Sequence, residues 1–233
     1  MKYLLECRGI GYKIGTKVLL EDINFTLSPG QEVVLFSESH QAASSFLQIC
    51  STLIRPTKGK LFIEGVEVNY DDQEESLNLK RKLAFVDKKS TLIQNLSVFE
   101  NIALASIYHG NKSLEEIHIQ LDPIIEMFSL REVLYLRPAE VDPATKSRVL
   151  YAIEVVKGPI VAIFDQPEND YSENDRYYLF NILNKLKEDR NCGFIIYTRS
   201  RSLVEKLGGS IIILKDGLIT PAVDKDSFLL SLK

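Results

Sequence analysis

A polar segment from Ser37 to Ser45 stands between two apolar stretches, and its residue types are the first to weigh for chemistry. Before it, residues 33–36 read Val-Val-Leu-Phe, the composition of a strand buried on both faces. After it, Phe46, Leu47, Ile49, Cys50, Leu53 and Ile54 recur at helical spacing on a wide apolar face. Strand, polar loop and buried helix form the setting in which backbone N–H groups and a helix N-terminus hold phosphate. The full motif is G-x-x-x-x-G-K-[ST]. Glycines let the backbone curl round phosphates, lysine neutralises them, and a hydroxyl holds Mg²⁺. The corresponding positions are Ser37, Ala42, Ala43 and Ser44, so only the hydroxyls of Ser44 and Ser45 remain. Taken alone, the segment does not define a phosphate site.

Composition offers few other reactive centres. Cys7, Cys50 and Cys192 are widely spaced, with no CxxC or Cys/His cluster, which argues against a zinc site or a disulfide framework and fits a reducing cytosol. Cys50, within an apolar run, reads as a small core residue. The 233 residues are 45% hydrophobic and 26% charged, enough to bury a full core in one large domain or two lobes sharing a core. A net charge of −4 excludes a strong electrostatic nucleic-acid footprint. The dense basic runs Lys80-Arg81-Lys82 and Lys88-Lys89 read as solvated loop charge. No stretch approaches the ~18–20 apolar residues that cross a bilayer. The N-terminal stretch, interrupted by Glu6 and Arg8, does not read as a signal peptide. Membrane association is therefore expected only through a partner.

The elements that would position these residues follow from periodicity. Ile23, Phe25 and Leu27 alternate with polar neighbours as in a half-buried strand, and Pro29-Gly30 turns the chain. Residues 61–63 with Gly65 read as a further strand and turn. Beyond Val86 the texture becomes helical. Ser97 with Glu100 and Ser113 with Glu116 form capping boxes, the first ahead of residues 98–108. Asp142-Pro143 is an N-cap followed by proline at the first helical position, leading a helix towards Val156 that Gly158-Pro159 stops. Strands return at 160–164, 194–198 and 210–214, separated by helices over about 173–187 and 202–207, and Asp216-Gly217 makes a hairpin. This alternation predicts an α/β fold with a mostly parallel, doubly wound sheet, interrupted by a helical insertion.

Landmarks along the chain resemble the ATPase subunits of ABC transporters. Tyr12 sits where that family places an aromatic under adenine. Arg55-Pro56-Thr57-Lys58-Gly59-Lys60 through Glu64-Gly65 looks like its passage after the P-loop helix. Leu96-Ser97-Val98-Phe99-Glu100-Asn101-Ile102 looks like its "LTVxENV" stretch. Pro138-Ala139-Glu140-Val141 with Arg148-Val149 frames the place of the LSGGQ signature. Ile163-Phe164-Asp165-Gln166-Pro167 resembles the Walker B strand with its "DEP", and Leu214-Lys215-Asp216-Gly217 the closing "LxDG". They follow in the family's order over about residues 3–220. The resemblance implies a P-loop NTPase (RecA-like) core with an antiparallel β subdomain and an inserted helical subdomain. Within a single domain, 1–87 and 158–220 would form the core and 88–157 the helical subdomain.

Carried over position by position, the resemblance implies that most of the family's chemistry is missing. The Walker A lysine is Ala43, and its glycines are Ser37, His40 and Ala42, with Glu38 adding negative charge. His40 is a candidate for a residual phosphate contact, although a solvent-exposed loop histidine is the favoured reading. The Q-loop glutamine is Lys88, which cannot accept a hydrogen bond or ligate Mg²⁺ while charged. The signature reads Val141-Asp142-Pro143-Ala144-Thr145, where proline removes a donor. Walker B keeps Asp165, but the catalytic glutamate is Gln166, which cannot act as a general base. The D-loop reads Asn169-Asp170-Tyr171-Ser172, and the switch histidine is Arg199, either a γ-phosphate ligand or a surface residue. Tyr12, Ser44, Ser45 and Asp165 are the remnants of a cofactor site. No catalytic residue and no metal ligand is expected, with ATP and Mg²⁺ as cofactors only if residual binding survives.

Three functions follow from the resemblance: a pseudo-ATPase subunit docking to a membrane permease, a divergent but active ATPase, or a nucleotide-sensing scaffold. The implied partners are an ABC permease, whose coupling helix enters the groove beside Lys88, and a second ABC ATPase-like subunit in a homo- or heterodimer. Nucleic acid is not among them. The implied location is cytoplasmic, peripheral on the inner membrane face through a partner. In flavour the chain looks most like the ATPases of Mce-type lipid transporters, with lipoprotein-releasing and cell-division relatives close behind.

Overall fold

The computed structural model describes residues 3–87, 89–109, 113–167 and 191–223, with positions 180, 183, 184, 186, 188, 225 and 228. Two long strands, β1 (Leu5–Ile14) and β2 (Lys17–Leu27), pair antiparallel. With β4 (Lys58–Ile63) and β5 (Val66–Glu67) they make a four-stranded sheet in the order β2-β1-β4-β5. The alternation of Ile23, Phe25 and Leu27 extends through β2, which buries all three.

The second sheet has six strands in the order β10-β9-β3-β8-β7-β6. It contains β3 (Glu32–Phe36), β6 (Leu83–Val86), β7 (Val161–Asp165), β8 (Gly193–Tyr197), β9 (Ser210–Lys215) and β10 (Leu218–Val223). β6, β7, β8, β3 and β9 run parallel, and β10 returns antiparallel. Every residue of β7 and β8 is buried, as both-face coverage of a parallel sheet requires. Asp216 and Gly217 both take positive φ, the geometry of a tight hairpin turn.

Period-two alternation divides the core between the sheet's faces. Val33, Leu35, Ile163 and Ile195 face the four-stranded sheet and helix α1 (His40–Cys50). Val34, Phe164, Phe194 and Ile196 belong to a second cluster with helices α3 (Val98–His109), α4 (Leu114–Met127) and α5 (Pro143–Val156). These three helices lie between β6 and β7 in the chain. Helix α2 (Gln73–Lys80) precedes β6, and a short α6 (Arg201–Lys206) follows β8.

The expected helix starts hold. Ser97 Oγ accepts from Glu100 N–H while Ser97 N–H donates to the Glu100 carboxylate at 2.7 Å. Ser113 and Glu116 repeat the arrangement on α4. Asp142 caps α5, with Pro143 in its first turn.

Three expectations need correction. Residues 40–45 are not loop, because α1 begins at His40 and places Ser44 and Ser45 within the helix. Its other end falls at Cys50 rather than 54. Thr52 turns left-handed (φ 61°), and Leu53 and Ile54 N–H both return to Gln48 O. Helix α2 escaped the sequence reading because only Leu79 of its eight residues is buried, leaving no apolar stripe to see. The helix expected over 173–187 falls largely outside the described residues. Among the described residues no helix is long and apolar enough to cross a membrane.

Candidate functional site

The chain leaves β3 at Phe36 and enters α1 at His40, so the remnant loop is three residues long. Its serine hydroxyls are taken up by neighbouring backbone groups. Ser37 is fully buried, and its hydroxyl donates to Leu214 O at 2.7 Å while accepting from Ser39 N–H. Ser39 is the N-cap of α1, its hydroxyl accepting from Ala42 N–H at 3.2 Å, and Ala43 N–H closes the first helical bond to Ser39 O. The N–H groups of Ser39, Ala42 and Ala43 therefore have partners within the loop itself. Ser37, His40 and Ala42 all keep negative φ, so no left-handed curl is present where the motif has glycine.

Ala43, at the lysine position, is 0% exposed and packs in the core below the four-stranded sheet. Ser45 is buried and Ser44 half-buried on the helix. His40 corrects the expectation of an exposed loop histidine. It is half-buried at the first position of α1, its ring nearly parallel to that of Tyr197 with centroids 5.9 Å apart. Its Nδ1 is buried without a hydrogen-bond partner.

Tyr197, the last residue of β8, was not singled out in the sequence. It is fully buried, it donates from its hydroxyl to Ser37 O at 3.4 Å, and its carbonyl accepts from Gln166 N–H at 2.8 Å. The remnant loop and the Asp165-Gln166 pair thus meet on one tyrosine. Asp165 ends β7 opposite Tyr197 and is 6% exposed; Gln166 sits in a left-handed conformation, φ 54°. Its only sequence signal was position, an aromatic ending an apolar strand.

Beside the loop lies a cleft of about 360 Å³, whose charged lining is mixed: Lys17, Lys215, Glu38 and Asp216. Lys17 Nζ donates to Gln41 Oε1 at 2.9 Å. Tyr12 lies on β1, half-buried, and lines a neighbouring cleft of about 520 Å³ that shares Val18 with the first. Arg199 is exposed beyond β8. Lys88 and residues 169–172 lie outside the described residues.

The segment at the signature position is a helix start. Val141 is buried, Asp142 and Pro143 are exposed, Ala144 is half-buried and Thr145 is buried. Asp142 accepts from both the hydroxyl and the N–H of Thr145, which hold its carboxyl below the usual range. Arg148 donates to Thr145 Oγ1 at 2.7 Å and to the carbonyls of Phe128 and Ser129 at the end of α4. Side chains at this helix start are tied to α4 and α5, and α5 packs on α3.

A six-stranded, mostly parallel sheet with a strand–loop–buried-helix unit on β3 and, one strand removed, a strand ending in Asp165 defines the class of P-loop NTPase folds. The sequence model of the ABC transporter family matches residues 20–169, and the chain belongs to that family. It is 27% identical over 212 residues to an uncharacterized ABC transporter ATP-binding protein, MJ0796, of Methanocaldococcus jannaschii, covering 88% of this chain and 90% of that protein. It is 27% identical over 226 residues to the lipoprotein-releasing system ATP-binding protein LolD of Aquifex aeolicus, covering 97% and 100%. Among solved structures it is similar to dimeric MJ0796 bound to ADP and Pi (TM-score 0.85, 24% identity, 95% and 98% covered). The lipoprotein-releasing relatives match the second of the flavours drawn from the sequence.

Proposed function

We propose that this ABC transporter ATPase-family subunit is a pseudo-ATPase, which docks to a membrane permease and hydrolyses little or no ATP of its own. The observation that carries the reading is the self-capped start of α1, where the Ser37 and Ser39 hydroxyls accept from the N–H groups of Ser39 and Ala42, and Ala43 is sealed in the core. A lysine ammonium about 4 Å from a phosphate charge is worth roughly 4 kcal/mol at an effective dielectric of about 20, before desolvation. Its absence weakens binding by up to about a thousandfold. Glutamine at 166 removes a general base, a further loss of about 10²–10⁴-fold in turnover. Tyr12, Ser44, Ser45 and Asp165 remain as remnants, and Lys88, Val141–Thr145 and Arg199 as altered positions.

Residues 1–87 with 158–220 act as the core of this subunit and 88–157 as its helical part. A cleft of about 390 Å³ lined by Leu53, Phe85, Asp87, Lys89 and Glu154 supports docking of a permease helix between the two. Such docking puts the chain on the inner membrane face, paired with a second ATPase-like subunit. The lipoprotein-releasing relatives make a lipid-linked cargo the first to test.

The test is a Mg-ATP titration of the chain alone and with its co-purified membrane partner, reading nucleotide binding and phosphate release. Background turnover and no saturable binding by this chain are expected. Turnover that disappears on Asp165→Asn overturns the reading.

A further inference from the structure

Cys7 on β1 and Cys50 at the last turn of α1 come from positions 43 residues apart and meet with their sulfurs 4.0 Å apart. Both side chains are buried, at 2% and 0% exposure, in the cluster between the four-stranded sheet and α1. Two thiols in van der Waals contact, on two different elements, are one S–S bond away from a covalent clamp between those elements.

Tyr70 packs against the cluster that holds both cysteines. This residue is half-buried and lines an open cleft of about 340 Å³ together with Arg55, Asn69 and Asp71. Its hydroxyl is buried and without a hydrogen-bond partner. Burial pushes the phenol up. Tyr70 thus borders both an open cleft and the buried cluster that holds the two thiols. Burial also pushes the Cys50 thiol up, so little thiolate is present at neutral pH and oxidation is slow.

We propose that Cys7 and Cys50 form an oxidisable dithiol, converted by a peroxide into a disulfide that clamps the C-terminal end of α1 to β1. In the first step the Cys50 sulfur takes one peroxide oxygen as the O–O bond breaks, giving a sulfenic acid and one water. In the second the Cys7 sulfur attacks that sulfur; the S–S bond forms, the S–O bond breaks, and hydroxide leaves with the Cys7 proton as a second water. The clamp closes a 43-residue span opposite the end of α1 that carries Ser39 and His40.

The experiment treats the folded full-length chain with hydrogen peroxide, alkylates remaining thiols under denaturing conditions, and maps peptides by mass spectrometry without reduction. A Cys7–Cys50 linked peptide, lighter by two hydrogens than the thiol pair, is expected. The oxidised chain should melt at least about 5 °C higher than the reduced one, and dithiothreitol should reverse the shift. Tyr70→Ala, which removes a ring packed between that cluster and the cleft, should speed link formation. Recovery of Cys7 and Cys50 as thiols, or as separate sulfinic acids, overturns the proposal.

Discussion

The imidazole of His40 lies 5.9 Å from the ring of Tyr197 at an interplanar angle of 19°, in the position where a phosphate-binding loop would carry glycine. The same tyrosine bonds Ser37 O from its hydroxyl and Gln166 N–H through its carbonyl. The remnant loop and the end of β7 are therefore joined through one residue, by its side chain to the loop and by its backbone to Gln166. A nucleotide entering here must compete with packing and hydrogen bonds already made.

Ser37→Ala leaves Leu214 O without the hydroxyl that donates to it at 2.7 Å in a fully buried setting. The cost expected is about 1–3 kcal/mol. Urea denaturation measures it as a lower midpoint with unchanged slope. An unchanged midpoint shows that the bond contributes nothing.

Ala43→Lys places an ammonium where the side chain is 0% exposed. Forcing the stem into this packed cluster costs roughly 1–3 kcal/mol. Mg-ATP is expected not to recover the loss, since Ser39 and Ser37 still occupy the neighbouring donors. Adding Gln166→Glu should leave phosphate release at background. Differential scanning fluorimetry with and without nucleotide, followed by a phosphate assay, checks both statements.

Asp142 gives a pH-dependent prediction. Its carboxylate accepts from the Thr145 hydroxyl and N–H, so the folded chain binds this proton less readily than the unfolded chain. The cap's contribution is fully present above the unfolded pKa and is lost as pH falls through the lower, folded one. Asp142→Ala should cost about 1 kcal/mol at neutral pH. Asp142→Asn should retain part of the cap, and the wild-type advantage over it should vanish in acid. Equilibrium denaturation of the three proteins across pH tests the sign.

Asn101 is 3% exposed and ties down the segment before α3. Its amide donates to the carbonyls of Ile93, Leu96 and Ser97, and its Oδ1 accepts from Ile93 N–H at 2.8 Å. Asn101→Leu removes all four bonds and should cost roughly 2–4 kcal/mol. Amide exchange should accelerate first at residues 93–97. Protection there equal to wild type would show that the segment is held by other contacts.

Whatever depends on local periodicity and local hydrogen bonding is legible in the order of the residues. Ile23, Phe25 and Leu27 announced a strand because alternate residues of a strand face one side. Ser97–Glu100, Ser113–Glu116 and Asp142–Pro143 announced helix starts because a cap needs only residues three apart. Helix α2 was invisible because its one buried residue sets up no period.

What the first turn of α1 faces was set by long-range packing. Tyr197, from a strand far along the chain, meets both His40 and Ser37 there. The contact of Cys7 with Cys50 depends on the four-stranded sheet folding over α1. Such contacts join residues with no common local pattern, and only the packing of two sheets against one helix brings them together.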